Sequence, residues 1–245
     1  MDDLTGEFRS QVAVVTGAAR GIGEAIARRL AALRMTVVLL ARDRERLERV
    51  REDIDRDGGR AEVFPCDLRD DQAVAMLGLH VRINYARCDV LVNCAGIGMG
   101  GAPLHEMEVQ DWDALMSTNL RAPFLMIRAL APLMIEQESG HIINISSLAG
   151  KNPLPNGAAY SASKWGLNGL TYSVAEELRK YKIRVSVVAP GSVNTGFGGK
   201  GDPGSFKDEA GKVQPDDVAS VVEMLVRQAP QSFVSEVLLR PTKKP

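Results

Sequence analysis

Short apolar runs alternate along the chain with longer segments in which apolar residues recur at helical spacing. Runs such as VAVV, TVVLL and DVLV are almost continuously apolar, as expected of strands that are buried on both faces of a parallel sheet. The pattern predicts strands at Gln11–Thr16, Thr36–Leu40, Ala61–Cys66, Asp89–Asn93, His141–Ser146, Ile183–Ala189 and Glu236–Leu239.

The segments between these runs are long enough for helices. The first of them carries apolar residues on one helical face, namely Ile22, Ile26, Leu30 and Leu33. Pro123 has no backbone donor, so we expect the long helix that contains it to bend nearby. The predicted helices are Ile22–Leu33, Asp43–Asp57, Asp70–Tyr85, Val109–Gln137, Ala158–Tyr181 and Pro215–Gln228.

Alternation of strands and helices predicts an α/β fold, a Rossmann-type doubly wound parallel sheet of about seven strands with helices on both faces. Neither a linker nor an internal repeat divides the chain, so residues 1–245 are expected to form a single domain. The irregular segment is 191–212, which is rich in glycine. A loop of this length inside a compact domain is usually functional or mobile.

The composition argues against several classes of binding partner. The 30 basic and 31 acidic residues give a net charge of −1, with no basic excess that would indicate nucleic-acid binding. No apolar run reaches the roughly 18 residues of a membrane span, and the acidic, polar N-terminus does not resemble a signal peptide. The odd number of cysteines and the scattered histidines indicate reduced thiols and no metal site. We therefore expect a cytoplasmic protein.

A glycine-rich turn, Thr16–Gly23, joins the first predicted strand to the first predicted helix. Its spacing is T-G-x-x-x-G-x-G. Glycine lets a pyrophosphate approach the backbone closely, and the N–H groups at the start of the helix then point at the anion. The alternative is an ordinary glycine-rich turn between a strand and a helix.

Two arginines indicate which dinucleotide would bind there. Arg20 lies at a helix N-terminus, where the helix dipole disfavours a cation unless an anion compensates it. Arg42 follows the second strand, where NAD enzymes place an acidic residue and a 2′-phosphate calls for arginine. The pair favours NADP over NAD. The alternative is that Arg42 faces solvent and Asp43 is the acidic partner of the ribose.

Tyr160 and Lys164 open the helix after the fifth strand, and their i, i+4 spacing places them on one face. A tyrosine pKa of about 10 is too high for proton transfer near neutral pH, and a nearby ammonium group would lower it. Ser146 and Ser147 end the fifth strand, at the edge where open α/β sheets bind ligands. The alternative is a surface Tyr/Lys pair beside two serines that cap a loop.

Taken together, these motifs resemble the short-chain dehydrogenase/reductase family across essentially the whole chain. The matching positions are Thr16–Gly23, Asp67–Leu68, Asn93–Gly96, Asn119, Ser147, Tyr160, Lys164 and Pro190–Gly191. The resemblance implies an enzyme that interconverts a carbonyl and a secondary alcohol by hydride transfer with NADP(H). Within the family, the chain looks most like the 3-oxoacyl-[acyl-carrier-protein] reductases.

The resemblance implies a catalytic role for four residues. Tyr160 would give a proton in reduction and take one in oxidation, while Ser147 would orient the carbonyl oxygen. Lys164 would also bind the nicotinamide ribose. Asn119 would hold a water molecule in a proton relay with Lys164.

The resemblance also extends the set of cofactor-binding residues beyond the glycine turn and the two arginines. Asp67 and Leu68 would hold the adenine, Thr195 would meet the nicotinamide carboxamide, and segment 191–212 would be the substrate lid. The complete expected set is Gly17, Ala19, Arg20, Gly21, Ile22, Gly23, Arg42, Asp67, Leu68, Asn93, Ala95, Gly96, Tyr160, Lys164, Pro190, Gly191, Val193 and Thr195.

Two positions depart from the family pattern. Cys94 replaces the more usual second asparagine of N-N-A-G, and we expect that change to be structural. The terminal EVLLRPTKKP lacks a glycine pair that many members carry in a region that often builds the tetramer. A homo-oligomer is expected, with dimer and tetramer both open.

The expected partner is a small carbonyl or alcohol substrate, and a 3-oxoacyl thioester is the leading hypothesis. An acidic carrier protein would need a basic docking surface. Four basic residues favour such a surface, namely Arg179, Lys180, Lys182 and Arg184, whereas two acidic residues, Glu136 and Glu138, count against it. A sugar, polyol, diketone or steroid-like substrate is the alternative. Two further hypotheses are a non-catalytic NADP-binding sensor and an epimerase or dehydratase of the extended relatives.

Overall fold

Seven parallel strands form one sheet in the computed structural model, which describes residues 8–98, 103–197 and 211–242. Their order across the sheet is β3-β2-β1-β4-β5-β6-β7, so the chain reverses its direction of travel between β1 and β4. The strands are β1 (Val12–Thr16), β2 (Thr36–Ala41), β3 (Arg60–Pro65), β4 (Val90–Asn93), β5 (Gly140–Ile145), β6 (Ile183–Pro190) and β7 (Glu236–Leu239).

Helices cover both faces of this sheet. They are α1 (Gly21–Ala32), α2 (Arg44–Arg56), α3 (Asp71–Tyr85), α4 (Val109–Met116), α5 (Ala122–Gln137), α6 (Ala158–Arg179) and α7 (Pro215–Val226). Two apolar clusters form the core: one joins α1, α2 and α7 to the sheet, and the other joins α3, α5 and α6. Along β1, Val15 packs into the first cluster and Val14 into the second, because successive strand residues face opposite sides. The predicted doubly wound α/β fold is confirmed.

The long helix predicted at Val109–Gln137 is divided. A five-residue π-helical turn, Ser117–Arg121, separates α4 from α5, and Pro123 lies in the first turn of α5. In a continuous α-helix the nitrogen of Pro123 would have to donate to the carbonyl of Asn119, which it cannot do. The regular hydrogen-bond pattern is therefore interrupted here, and the predicted bend takes the form of a wider turn.

No helix in the described parts of the chain is long and apolar enough to cross a membrane. The predicted lid at 191–212 is described at residues 191–197 and 211–212, and the rest of it, residues 198–210, lies outside the described residues.

Buried His141 lies on β5 beside β6. Its Nε2 is 2.8 Å from the hydroxyl oxygen of Ser186, and that hydroxyl donates to the carbonyl of Val234 at 2.7 Å. The single proton of Ser186 is thereby used, so Nε2 of His141 is the donor in their hydrogen bond. The Nδ1 atom is buried without a partner. Burial, aided by the charge of Arg184, lowers the pKa of His141 from 6.5 to about 3.

We expect His141 to make the fold sensitive to acid. Between pH 7 and pH 5 the unfolded histidine takes up a proton and the folded one does not, so stability falls as pH falls through 6.5. About 1.5 pH units separate 6.5 from 5, so the loss attributable to His141 is about 2 kcal/mol. Urea unfolding at pH 7 and at pH 5 should show that His141→Leu removes this pH-dependent loss of unfolding free energy. Exposed His105→Gln is the control, and an unaltered pH dependence in His141→Leu would contradict the assignment.

Candidate active site

A groove of about 650 Å³ runs along the carboxyl ends of the strands. Most of the predicted site residues lie on its walls. These are Gly17, Ala19, Arg20, Gly21, Ile22, Gly23, Arg42, Asp67, Leu68, Ala95, Gly96, Ser147, Tyr160, Lys164, Pro190, Gly191, Val193 and Thr195. Asn93 and Asn119 do not line the groove.

The loops after β1 and β4 meet at the bottom of the groove. The hydroxyl oxygen of buried Thr16 accepts the backbone N–H groups of Cys94 and Ala95, both at 2.9 Å. A Cβ atom at Gly17 would lie 3.0 Å from the Cα of Ala95, and Gly17 has a φ of +69°. The approach of the two loops therefore requires glycine at position 17.

The start of α1 is open toward the groove. A Cβ atom at Gly23 would lie 2.3 Å from the carbonyl oxygen of Gly17, so a side chain there would collapse the turn. Gly21 has a φ of +60°, which favours glycine. Arg20 is the N-cap residue of α1 and has an extended backbone. Its side chain accepts no hydrogen bond from the N–H groups of the first helical turn. This donor set fits an anion such as a pyrophosphate.

Arg42 follows β2 on the groove wall, and its neighbour Asp43 is used elsewhere. The Asp43 carboxylate caps α2 by accepting the N–H of Arg46 at 3.1 Å, and it pairs with the Arg46 guanidinium at 3.2 Å. The alternative in which Asp43 takes the ribose position is therefore not favoured. Among the described residues, the side chains of Arg20 and Arg42 make no hydrogen bond or ion pair, and both are exposed to the groove.

Arg69 also lines this end of the groove, and the sequence analysis missed it. Its Nη2 and Nε atoms donate to the Asp67 carboxylate at 2.7 and 3.0 Å. These bonds, together with the charge of Arg42, hold the pKa of Asp67 below its usual range. Arg121 fixes the backbone by donating to the carbonyl of Arg69 at 2.8 Å. The missed signal is an arginine two residues after an acidic group at the carboxyl edge of the sheet.

Ser147, Tyr160 and Lys164 converge near the middle of the groove. Ser147 caps the short 3₁₀ turn Leu148–Gly150, which fixes its hydroxyl group close to that of Tyr160. Tyr160 lies in the first turn of α6. Lys164 lies one turn later, with Nζ 5.8 Å from the centre of the Tyr160 ring and bonded to the carbonyl of Ile145 at 3.0 Å.

Burial governs the acidity of this cluster. It lowers the pKa of Lys164 from 10.5 to about 8, because a buried ammonium group loses its hydration. It raises the pKa of Tyr160, against a smaller lowering by the hydrogen bond from Ser147. The expected lowering of the Tyr160 pKa by Lys164 is not seen in this structure. The Lys164 ammonium instead points at the carbonyl of Ile145.

Asn119 is buried in the π-helical turn and holds a loop in place. Its Oδ1 accepts the N–H of Ile97 at 2.8 Å, and its Nδ2 donates to the Ile97 carbonyl at 2.9 Å and to Ser163 at 3.2 Å. Gly96 passes between Asn119 and Lys164, since a Cβ atom there would lie 3.3 Å from Asn119 Oδ1. The described side chain thus positions the groove wall, whereas the water relay stays a prediction.

Asn93 braces the sheet from within. Its Nδ2 donates to Oδ1 of Asn144 on β5 at 2.8 Å, and Asn144 donates to Thr171 on α6 at 2.9 Å. All three side chains are buried. The structure therefore places Asn93 beneath the groove and not on the expected cofactor channel. Asn144 and Thr171 were missed, although a polar residue within the apolar strand HIINI was a usable signal.

The segment after β6 forms the other wall. Thr195 packs against the glycine turn, since a Cβ atom at Gly21 would lie 3.2 Å from its methyl group. Val193 pairs with Val213 in an isolated parallel bridge, which ties both ends of the predicted lid together.

Cys94 is a groove residue with a protonated thiol, because burial raises its pKa to about 12. Within residues 8–98, 103–197 and 211–242, no three His, Cys, Asp or Glu side chains group to hold a metal ion.

Comparisons with known proteins agree with this geometry. The family model described as short chain dehydrogenase matches residues 11–203. An uncharacterized oxidoreductase from Staphylococcus saprophyticus is 36% identical over 236 residues, which is 96% of this chain and 99% of the relative.

Two solved structures are similar over nearly the whole chain. A metagenomic short-chain oxidoreductase in complex with NADP is 54% identical, with a TM-score of 0.85 and coverage of 97% of this chain and 99% of that chain. A 3-oxoacyl-[acyl-carrier protein] reductase from Brucella melitensis is 30% identical, with a TM-score of 0.85 and coverage of 97% and 92%.

Proposed function

The chain belongs to the short-chain dehydrogenase family, and we propose that it is an NADP(H)-dependent oxidoreductase that interconverts a carbonyl compound and a secondary alcohol. The observation that carries the proposal is the convergence of Ser147, Tyr160 and Lys164 on the groove that also holds the glycine turn. Two hydroxyl groups and an amino group that lie close together can hydrogen-bond a substrate oxygen atom and transfer a proton. A non-catalytic sensor would not need this cluster.

Bound NADP(H) would supply or accept the hydride. During reduction, Ser147 and Tyr160 donate hydrogen bonds to the substrate oxygen and stabilise its developing negative charge. Tyr160 then gives its proton to that oxygen, and it takes the proton back in the reverse direction. Lys164 supports the proton transfer with a positive charge held close to the Tyr160 ring. We propose that Asn119 acts by holding Ile97 and the wall beside this cluster.

The proposed preference for NADP rests on the adenosine end of the groove. The side chains of Arg20 and Arg42 make no hydrogen bond or ion pair among the described residues, so both are available to bind a 2′-phosphate. An acidic residue at the ribose position would favour NAD instead. The relative that was solved with NADP is 54% identical to this chain, which supports the same choice.

We retain 3-oxoacyl thioester reduction as the substrate hypothesis, supported by the likeness to the Brucella reductase. The basic surface expected for a carrier protein gives no further support. Tyr160 begins α6, whereas Arg179 ends it, and a helix of 22 residues is about 33 Å long. Arg179 pairs with Glu176, and Lys182 pairs with Glu138 at 2.7 Å. The expected docking residues therefore lie far from the groove and are partly neutralised.

We also propose a homo-oligomer in the cytoplasm. Trp165 and Tyr172 are exposed on one face of α6, and Phe124 is exposed on α5, an apolar surface that a second copy would cover. The three cysteines are free thiols, which supports a reducing compartment.

The proton-transfer role predicts the effect of Tyr160→Phe. Turnover should fall at least about 100-fold, because the proton donor is lost, while NADPH binding stays largely intact. Activity is followed by NADPH absorbance with acetoacetyl thioesters, sugars, diketones and ketosteroids, and binding is followed by NADPH fluorescence. Tyr181→Phe, two residues beyond the far end of α6, is the matched control. Retained turnover in Tyr160→Phe would contradict the proposed role.

The 2′-phosphate site predicts the effect of Arg42→Asp. The ratio of kcat/KM for NADPH to that for NADH should fall about 10- to 100-fold, since a charged hydrogen bond becomes a repulsion. Arg44→Asp makes the same charge change two residues away, on a side chain that does not line the groove. An unmoved ratio in Arg42→Asp, or an equal change in both variants, would overturn the assignment.

The proposed interface predicts the effect of Trp165→Glu on subunit mass. Light scattering should give a multiple of 26.5 kDa for the natural chain and about one subunit for the variant, because a charge would be buried at the interface. Leu79→Glu alters an equally apolar, exposed position on α3 and serves as the control. Dissociation in Leu79→Glu alone would move the interface to α3.

A further inference from the structure

Large apolar side chains line the groove that holds Tyr160. They are Ile97, Leu148, Leu154 and Phe197. Leu154 is 44% exposed and Phe197 is 47% exposed, which is unusual for large apolar side chains gathered around a reactive hydroxyl group. Exposed apolar surface that is concentrated in a cleft generally marks a place where an apolar ligand binds.

Phe197 is held in a defined position over Tyr160. The centres of the two rings are 5.9 Å apart and their planes are inclined by 55°, a favourable arrangement for aromatic pairs. The other side of the Phe197 ring rests on Gly98, where a Cβ atom would lie 2.6 Å from Cε1. Any larger residue at position 98 would displace the ring. Phe197 is therefore a fixed wall of the space in front of the proposed proton donor.

Charge is segregated along the groove. The described charged residues on its walls lie at the adenosine end, apart from Lys164 beneath Tyr160. The nearby Lys151 is turned away, because its ammonium pairs with Glu236 at 2.7 Å and with the Tyr172 hydroxyl. The described wall beside Tyr160 thus offers no free cation to a carboxylate or phosphate. Asn152 and Ser192 also line the groove, but sugar hydroxyls placed against Leu148, Leu154 and Phe197 would lose hydrogen bonds to water without replacement.

We infer that the substrate is a neutral carbonyl compound with an aryl or bulky alkyl group, and that Phe197 sets this preference by packing against that group. The inference rests on the proposed function and narrows it. An alkyl 3-oxoacyl thioester falls within this class, whereas sugars, polyols and small keto acids do not.

Matched ketones test the inference on the natural chain with NADPH. We expect kcat/KM to be at least about tenfold higher for acetophenone than for 4-acetylbenzoate, which differs only by a carboxylate, and higher still than for glyceraldehyde. Phe197→Ala should lower kcat/KM for acetophenone about tenfold, mainly by raising KM. For compact 2,3-butanedione the loss should be about twofold, because that ketone cannot reach the ring.

Two further variants separate packing from general damage. Phe197→Leu keeps an apolar wall and should recover most of the acetophenone activity, while Gly98→Ala should displace the ring and reproduce the effect of Phe197→Ala. NADPH affinity, measured by fluorescence, should not change in any of the three. A preference for 4-acetylbenzoate or glyceraldehyde, or equal losses with acetophenone and butanedione, would overturn the inference alone. Absence of Tyr160-dependent turnover with every compound would overturn the proposed function, and the inference with it.

Discussion

The close approach of the loops after β1 and β4 is the constraint on which the site depends. Because the sheet order changes direction between these two strands, their carboxyl ends open a crevice that no connecting helix closes. Thr16 fastens the two loops with one oxygen atom, and the missing side chains of Gly17 and Gly23 let backbone pass against backbone. The same arrangement leaves the start of α1 facing the crevice. The helix end proposed to bind an anion and the wall that holds Ser147 and Tyr160 are thus set relative to each other by the Thr16 hydrogen bonds and by backbone contacts.

The sequence predicted most of the architecture. Apolar runs indicate buried strands, and apolar residues at helical spacing indicate buried helix faces, whatever the chemistry of the site. It also predicted that Tyr160 and Lys164 share a helix face, which follows from geometry within one element. The sequence did not predict which residue, distant along the chain, a polar side chain hydrogen-bonds. Asn93, expected on the cofactor channel, hydrogen-bonds Asn144, while Asn119, expected to hold a relay water, hydrogen-bonds Ile97, and neither side chain lines the groove. The acidity of Tyr160 was likewise misjudged, because burial raises its pKa while the Lys164 ammonium is directed at the carbonyl of Ile145, and spacing carries no information about either.

Electrostatics divides the groove into two halves. One half presents Arg20 and Arg42, whose side chains make no ion pair with the described carboxylates, while the other presents aromatic and aliphatic side chains and a few hydroxyl groups. NADPH has a similar polarity, with its 2′-phosphate on the adenosine side, its pyrophosphate in the middle and an uncharged reduced nicotinamide ring at the other end. Lys164 bridges the halves: it is buried, yet its pKa of about 8 leaves it charged near neutral pH. The arrangement holds one positive charge next to an otherwise apolar reaction space, where weak screening by water strengthens its effect.

The π-helical turn at Ser117–Arg121 has a consequence for how this chain can change over time. A π-helical turn accommodates one residue more than an α-helical turn, so a single deletion within it would restore regular winding while α4 and α5 keep nearly the same orientation. The change would fall on the turn itself, where Asn119 would lose the widened backbone from which it holds Ile97. Substitutions that spare Asn119 leave this widened backbone in place, whereas a one-residue deletion removes it. Deletions should therefore be tolerated in the outer loops and be rare between α4 and α5.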